Sequence, residues 1–285
     1  MEAIKPFQFI TKDKVTYLVF KPWESNTLTH CFTTRLGGVS KGHLESLNLG
    51  FNRGDEEKNV VENYKRVCKA LELPFESLVL SKQVHETHIA KVTKADQGNG
   101  IIYPSKWESK DGMYTKDKGV TLVTHYADCV PLFFYAPKYG MIGMAHAGWR
   151  GTVGGIGKAM VDIWVHKEGV LPEEIQVVIG PSIGPCCFEV GEEVAKVFKA
   201  RFKDAKFITP LPNKEKYSID LWACNKAILC EAGVLEEHIF IAQMCTCCHF
   251  DIFFSHRRTQ GKRGTLAGFM CLKEEDIDTK EKAYE

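Results

Sequence analysis

Hydrophobic residues recur along this chain with two different spacings, and each predicts a different element. "GVTLVTHY", "VPLFFYA" and "GMIGMAHA" are short, nearly unbroken apolar runs rich in β-branched and aromatic residues, separated by "ADC" and by the turn-like "PKYG". Runs of that length predict buried strands, here read as consecutive strands of one sheet. "IQVVIGP", "HIFIAQM" and "TLAGFMCL" predict further strands downstream. The spacing turns helical in "GTVGGIGKAMVDIWVHKEG", where Ile156, Met160, Ile163 and Trp164 fall on one face behind a glycine-rich beginning. "GEEVAKVFKARF" predicts another helix, and Asp220 is placed to N-cap a third that ends near Gly233. Strands and helices mix without regular βαβ alternation, so the expected fold class is α+β, with mixed β-sheets flanked by helices. With no internal repeat, low-complexity tract or linker, the chain reads as a single domain over 1–285. From about 274 onward, "EEDIDTKEKAYE" has the composition of a solvated tail.

Charge narrows the function. Thirty-seven basic against 36 acidic residues leave a formal +1, so no whole-protein field recruits nucleic acid or an anionic membrane. "FFSHRRTQGKRG" concentrates Arg257, Arg258, Lys262 and Arg263 beside two aromatics; against that neutral background it predicts a solvated loop with one inward-facing arginine. The opening residues have no apolar signal core, and nowhere do 18 apolar residues run together, which predicts a cytoplasmic protein with no membrane association. No obligate protein partner is evident. Eleven cysteines, an odd number without a secretory signal, predict reduced thiols rather than a disulfide framework. "CTCCH" contains a CxxC, but a zinc ribbon wants a second such pair, and "GPCCFE" supplies adjacent cysteines instead, so spacing argues against a structural metal there.

The candidate chemistry gathers in "SKQVHETHI", "HYADCVP" and "AHAGWRG", whose outstanding residues are His85, Cys129 and His146. Two imidazoles and a thiolate form a borderline-soft set suited to Zn²⁺, and three protein ligands leave a fourth position open for catalysis. His88 and His125 compete with His85 for the role. The glycines after Arg150 predict either extra anion-binding N–H groups or close packing. "TTRLGGVSKG" is a second candidate anion loop, carrying Arg35.

Taken together, "TTRLGGVSKGHLESLNLG", "KQVHETH", "DGMYT", "THYADCVPLFFY", "AHAGWRGT", "GPSIGPCCFEVG", "DLWACN" and "FFSHRR" occur in the order of one family. The chain resembles the YfiH family, also labelled laccase-domain or polyphenol oxidase and associated with purine nucleoside phosphorylase activity. The resemblance implies an α/β/β/α layered fold and one zinc per chain on His85, Cys129 and His146. It also implies phosphorolysis of adenosine, inosine and methylthioadenosine to ribose 1-phosphate and free base, with adenosine deamination besides. The sequence departs from the family where Glu86, rather than glycine, follows the first metal histidine; that carboxylate could alter the pH profile or act as a base.

Phosphorolysis needs a phosphate held in line with C1′ and stabilisation of a cationic ribosyl carbon. Arg35 and Arg150 are the expected phosphate-binding residues. Deamination needs an activated water at C6 and a proton relay, for which Asp128, beside Cys129, is the candidate, its other roles being to orient a histidine or shape the turn. Three rival functions remain, one of them a binding or interaction protein whose histidines are structural. Cys129 could be the nucleophile of a hydrolase or deamidase with His146 as base, or the chain could be a copper-dependent polyphenol oxidase. Against the latter, the ten histidines include no His-x-His pair, so a multicopper cluster lacks ligands, and copper is expected only as an adventitious substitute for zinc.

Overall fold

The computed structural model describes residues 6–202, 205–212 and 215–274. Two six-stranded sheets stack face to face. The first runs Phe7–Lys12, Val15–Phe20, Leu28–Thr33, Leu266–Leu272, Thr121–Tyr126, Leu78–Leu80. The second runs Ile239–Ile241, Gln176–Ile179, Val130–Ala136, Met141–Ala147, Gly112–Thr115, Ile89–Lys91. Both mix parallel and antiparallel pairs. A smaller sheet joins Glu189–Gly191, Lys216–Ile219 and Ile208–Pro210.

Three apolar clusters account for the layering. Between the sheets, Leu18, Phe32, Leu122 and Met270 of the first meet Phe133, Met144 and Val178 of the second. Outside the second sheet, Leu132, Phe134 and Ala145 pack on Ile156–Glu168 and Leu221–Glu231. Outside the first, Val123 and Phe269 pack on Glu57–Leu71. The result is α/β/β/α, an α+β fold. Successive residues of Val130–Ala136 serve opposite faces, Leu132 and Phe134 one and Phe133 the other, which is why the sequence lacks polar alternation there.

The expected helix after His146 is broken in two, Trp149–Val153 and Ile156–Glu168, with Gly155 at φ 77° between them. Ile156, Met160 and Trp164 are buried and Ile163 partly so. Asp220 does cap Leu221–Glu231, its carboxylate accepting from Ala223 N at 3.0 Å.

One expectation is corrected. The three mid-chain strands do not share a sheet: Thr121–Tyr126 belongs to the first, while Val130–Ala136 and Met141–Ala147 pair in the second. Both sheets are covered on both faces, so apolar pattern alone carries no mark of which sheet a strand joins. The chain therefore crosses between sheets at Ala127–Cys129, and Asp128 makes the turn at φ 86°. It crosses again between Leu78–Leu80 and Ile89–Lys91, through the segment that carries His85. The expected tail lies outside the described residues except for Glu274, which pairs with Lys94 at 2.8 Å. Among the described residues no helix is long and apolar enough to cross a membrane.

Candidate metal centre

The two crossings and one strand end bring His85, Cys129 and His146 together, with donor atoms all within 4.8 Å of one another. His85 is exposed, Cys129 half-buried and His146 buried at the end of its strand. Gly148, directly after that strand, keeps the space clear. A Cβ there would come within 3.1 Å of Cys129 Sγ and 3.1 Å of the His85 ring.

Asp111 holds the arrangement from behind. Its carboxylate accepts from the backbone N–H groups of Val84, His85 and Glu86 at 3.0, 2.9 and 3.0 Å, fixing a segment in which His85 itself adopts φ 68°. The same carboxylate lies 2.8 Å from His146 Nδ1. With Nδ1 so occupied, Nε2 is the nitrogen left to act as ligand, the usual way a carboxylate orients a metal-binding imidazole. Sequence reading passed over Asp111, which stands in "DGMYT" like an ordinary Asp-Gly turn; its only signal was an acidic residue beside a strand in a segment already picked out by the family resemblance.

Electrostatics favours a thiolate. Burial works to raise the Cys129 thiol, yet His146 and His85 together bring it down to about 6. Burial likewise works to lower His146, but Cys129 and Asp111 carry it up to about 9. Thiolate and imidazoles with one nitrogen each directed inward are the donors that a borderline-soft divalent ion prefers, so the residues fit a metal.

The rival histidines are engaged by other partners. His88 is exposed and engages Ser109 Oγ at 3.1 Å and Glu86 at 3.1 Å. His125 is held by Tyr64 Oη at 2.6 Å, and burial lowers it to about 4, so it is neutral. Asp128 accepts from Thr246 Oγ1 at 2.7 Å and from Arg257 N at 2.6 Å. It anchors the turn before Cys129, while the carboxylate bonded to a ligand histidine is that of Asp111. Glu86 accepts from Ser109 Oγ at 2.7 Å.

A cleft of about 660 Å³ opens onto the centre, lined by His85, Cys129 and His146 together with Arg53, His125 and Arg263. Arg35 and Arg150 are not among its lining residues. Arg35 donates to the carbonyls of Glu45 and Phe250 at 2.8 and 3.0 Å, and Arg150 stacks over Trp149. The N–H groups of Gly37 and Gly38 are taken by Ser46 Oγ, each at 3.1 Å, so the "TTRLGGVSKG" loop is internally satisfied. The glycines behind His146 serve packing: a Cβ on Gly154 would sit 2.9 Å from Thr87. Arg263 is the inward-facing arginine expected of its loop. Its Nε is buried with no hydrogen-bond partner, and burial followed by the charge of Arg53 lowers the guanidinium to about 10. Two arginines lining one cleft favour an anion there.

One thiolate and two imidazoles, backed by a carboxylate and facing a cationic cleft, define a protein with an open three-donor centre between two sheets. The chain belongs to the family described as multi-copper polyphenol oxidoreductase laccase, whose model matches residues 29–273. It is 43% identical over 248 residues to the purine nucleoside phosphorylase YlmD of Geobacillus stearothermophilus, covering 85% of this chain and 89% of that one. It is 35% identical over 252 residues to the human purine nucleoside phosphorylase LACC1, covering 86% of this chain but 56% of that longer protein. Among solved structures, the hypothetical protein YfiH of Bacillus licheniformis matches with a TM-score of 0.88 and 37% identity, over 94% of this chain and 100% of that one.

Proposed function

We propose that this chain is a zinc-dependent purine nucleoside phosphorylase that cleaves adenosine, inosine and methylthioadenosine with phosphate, and that it also deaminates adenosine. The observation that carries the reading is the shared cleft: the three-donor centre, Arg53 and Arg263 line the same 660 Å³ space. A zinc ion held by His85, Cys129 and His146 would supply Lewis-acid charge with one coordination position open. The names of the relatives support the nucleoside and phosphate as substrates.

In the reaction a phosphate oxygen bonds to C1′ as the bond from C1′ to the purine nitrogen breaks, its electron pair leaving with the base. Arg263 and Arg53 hold the phosphate and screen its repulsion from other anionic groups. Asp111 keeps His146 oriented, and Asp128 fixes the turn that presents Cys129. His125, neutral and bound to Tyr64, contributes an uncharged wall to the cleft. Arg35 and Arg150 have the right chemistry for phosphate but lie outside that lining, so they rank below Arg263 and Arg53.

The test is to incubate purified protein with adenosine, with and without phosphate, and to separate the products. Adenine and ribose 1-phosphate should form only with phosphate, and inosine in its absence. Adenosine left intact under both conditions by zinc-replete protein would defeat the reading. One observation favours a second reading: Cys129, His146 and Asp111 form a thiolate, base and orienting carboxylate in sequence, the order of a cysteine hydrolase. That enzyme would work after chelation, whereas the phosphorylase would not.

A further inference from the structure

We propose that Cys186, Cys187, Cys245 and Cys248 form a second metal site, a structural zinc tetrathiolate that ties the loop around 182–188 to the loop around 244–249. Their four sulfur atoms all lie within 4.8 Å of one another. Cys248 Sγ lies 3.5 Å from Cys186 Sγ and 3.5 Å from Cys187 Sγ. Four sulfurs at about 2.3 Å around tetrahedral zinc stand about 3.8 Å apart, so little adjustment closes the shell.

Packing does not explain this gathering. Cys31, Cys68, Cys224 and Cys271 are buried core fillers, whereas Cys186 and Cys248 are exposed and still converge. A disulfide does not explain it either, since one bond joins two sulfurs and here Cys248 is equidistant from two neighbours while Cys245 makes a fourth. Gly184 N donates to Cys245 Sγ at 3.2 Å, the kind of contact that steadies a thiolate. Arg257 donates to the Cys187 carbonyl at 2.7 Å, placing a cation against a centre whose four thiolates and one zinc carry a net charge of −2. On binding, the four thiols release their protons to solvent. Spacing had argued against a metal because "GPCCFE" has no CxxC; the fold supplies the second pair as neighbours instead.

The site has a structural consequence. Thr246 N donates to Ser182 O at 3.0 Å, Ile183 N donates to Asp128 O at 2.8 Å, and Thr246 Oγ1 donates to the Asp128 carboxylate at 2.7 Å. The two clamped loops are therefore the ones that hold the turn presenting Cys129.

The test reads metal content and ligand type in protein purified under reducing conditions with zinc supplied. Wild type should hold two zinc ions per chain. Cys129→Ala should hold one, with an all-sulfur shell by X-ray absorption, and Cys186→Ser/Cys248→Ser should hold one with a mixed nitrogen and sulfur shell. The Cys129→Ala arm stays informative even where the double variant fails to fold. A wild type without any all-sulfur zinc shell, no zinc or a nitrogen-containing shell in Cys129→Ala, or a disulfide among the four cysteines would overturn the proposal. The count of two in wild type rests on the zinc proposed for the open centre, whereas the Cys129→Ala arm reads the four-cysteine site alone and is independent of the phosphorylase reading.

Discussion

Two sulfur-bearing clusters adjoin the Ala127–Cys129 crossing, and they differ in donors and in surroundings. The first mixes one thiolate with two imidazoles, has Asp111 behind it, and faces a cleft with two guanidinium groups. The second has four sulfurs, a backbone N–H behind one of them, and is not part of that cleft's lining. Three ligands leave a place for a reactant, and four do not. Asp128 joins the two, with its backbone turning the chain into Cys129 and its carboxylate held by the residue next to Cys245.

The comparison breaks most visibly at Cys129. Cys129→Ala should strip zinc from the open centre and lower phosphorolysis by on the order of 10³-fold or more, since several kcal/mol of charge stabilisation goes with the metal. The fold should survive, because one small half-buried side chain rarely decides a core of this size. Activity near wild type in a variant shown to lack that zinc would place the chemistry elsewhere and revive a metal-free mechanism.

Two buried histidines sharpen the contrast between function and packing. His146, beside a thiolate and a carboxylate, is raised; in metal-free protein its stabilising contribution is complete below pH 6.5 and lost as pH climbs through about 9. At His30 burial wins instead: it sits against Trp23, accepts from Phe20 N at 3.0 Å, and burial outweighs the Phe20 backbone and the Glu24 charge to lower it from 6.5 to about 4. Over that window the unfolded chain binds the extra proton, so stability falls as pH drops from 6.5 to 4, by about 3 kcal/mol from this residue. Urea titrations at pH 7, 5 and 4 should show a shallower loss for His30→Gln than for wild type. Parallel losses would mean that His30 does not titrate in this range.

Within the cleft, Arg263→Gln should raise KM for phosphate about 10- to 100-fold, the scale of one charge-assisted hydrogen bond, while sparing deamination. Arg35→Gln and Arg150→Gln should change it less, in keeping with their places outside the lining. A larger phosphate effect at Arg35 or Arg150 than at Arg263 would reverse that ranking. Asp111→Asn should weaken zinc binding by about 10- to 100-fold in chelator competition, as expected when the group orienting a ligand histidine is impaired.

How much of this was legible depended on how local the signal was. Strands such as "VPLFFYA" and the Asp220 cap could be read because periodicity and capping are short-range. Which sheet each strand joined was not, because strands buried on both faces carry the same apolar pattern in either sheet. His85, Cys129 and His146, which the fold brings together, were legible as unusual residues at strand ends, helped by motif order. Asp111 was not, since its work is to accept N–H groups from 84–86, a contact no spacing announces. Arg53 and Arg263 come from loops more than two hundred positions apart, and the four-cysteine cluster joins segments from different parts of the chain, so both depend on the fold for their meaning.

The smallest expected effect concerns Glu86, which directly follows His85. A carboxylate there could in principle act as a base in the cleft or shift the pH profile. Its side chain is instead turned into a surface pair, accepting from Ser109 Oγ at 2.7 Å and lying 3.1 Å from the exposed His88 Nδ1. It is not among the cleft-lining residues. Exposed pairs of this kind contribute about 0–1 kcal/mol, and the backbone N–H of Glu86, which Asp111 uses, survives any side-chain change. Glu86→Gln should therefore alter kcat/KM for adenosine phosphorolysis by less than about twofold and leave its pH profile in place. A profile displaced by a full pH unit in that variant would mean the carboxylate reaches the reacting groups after all.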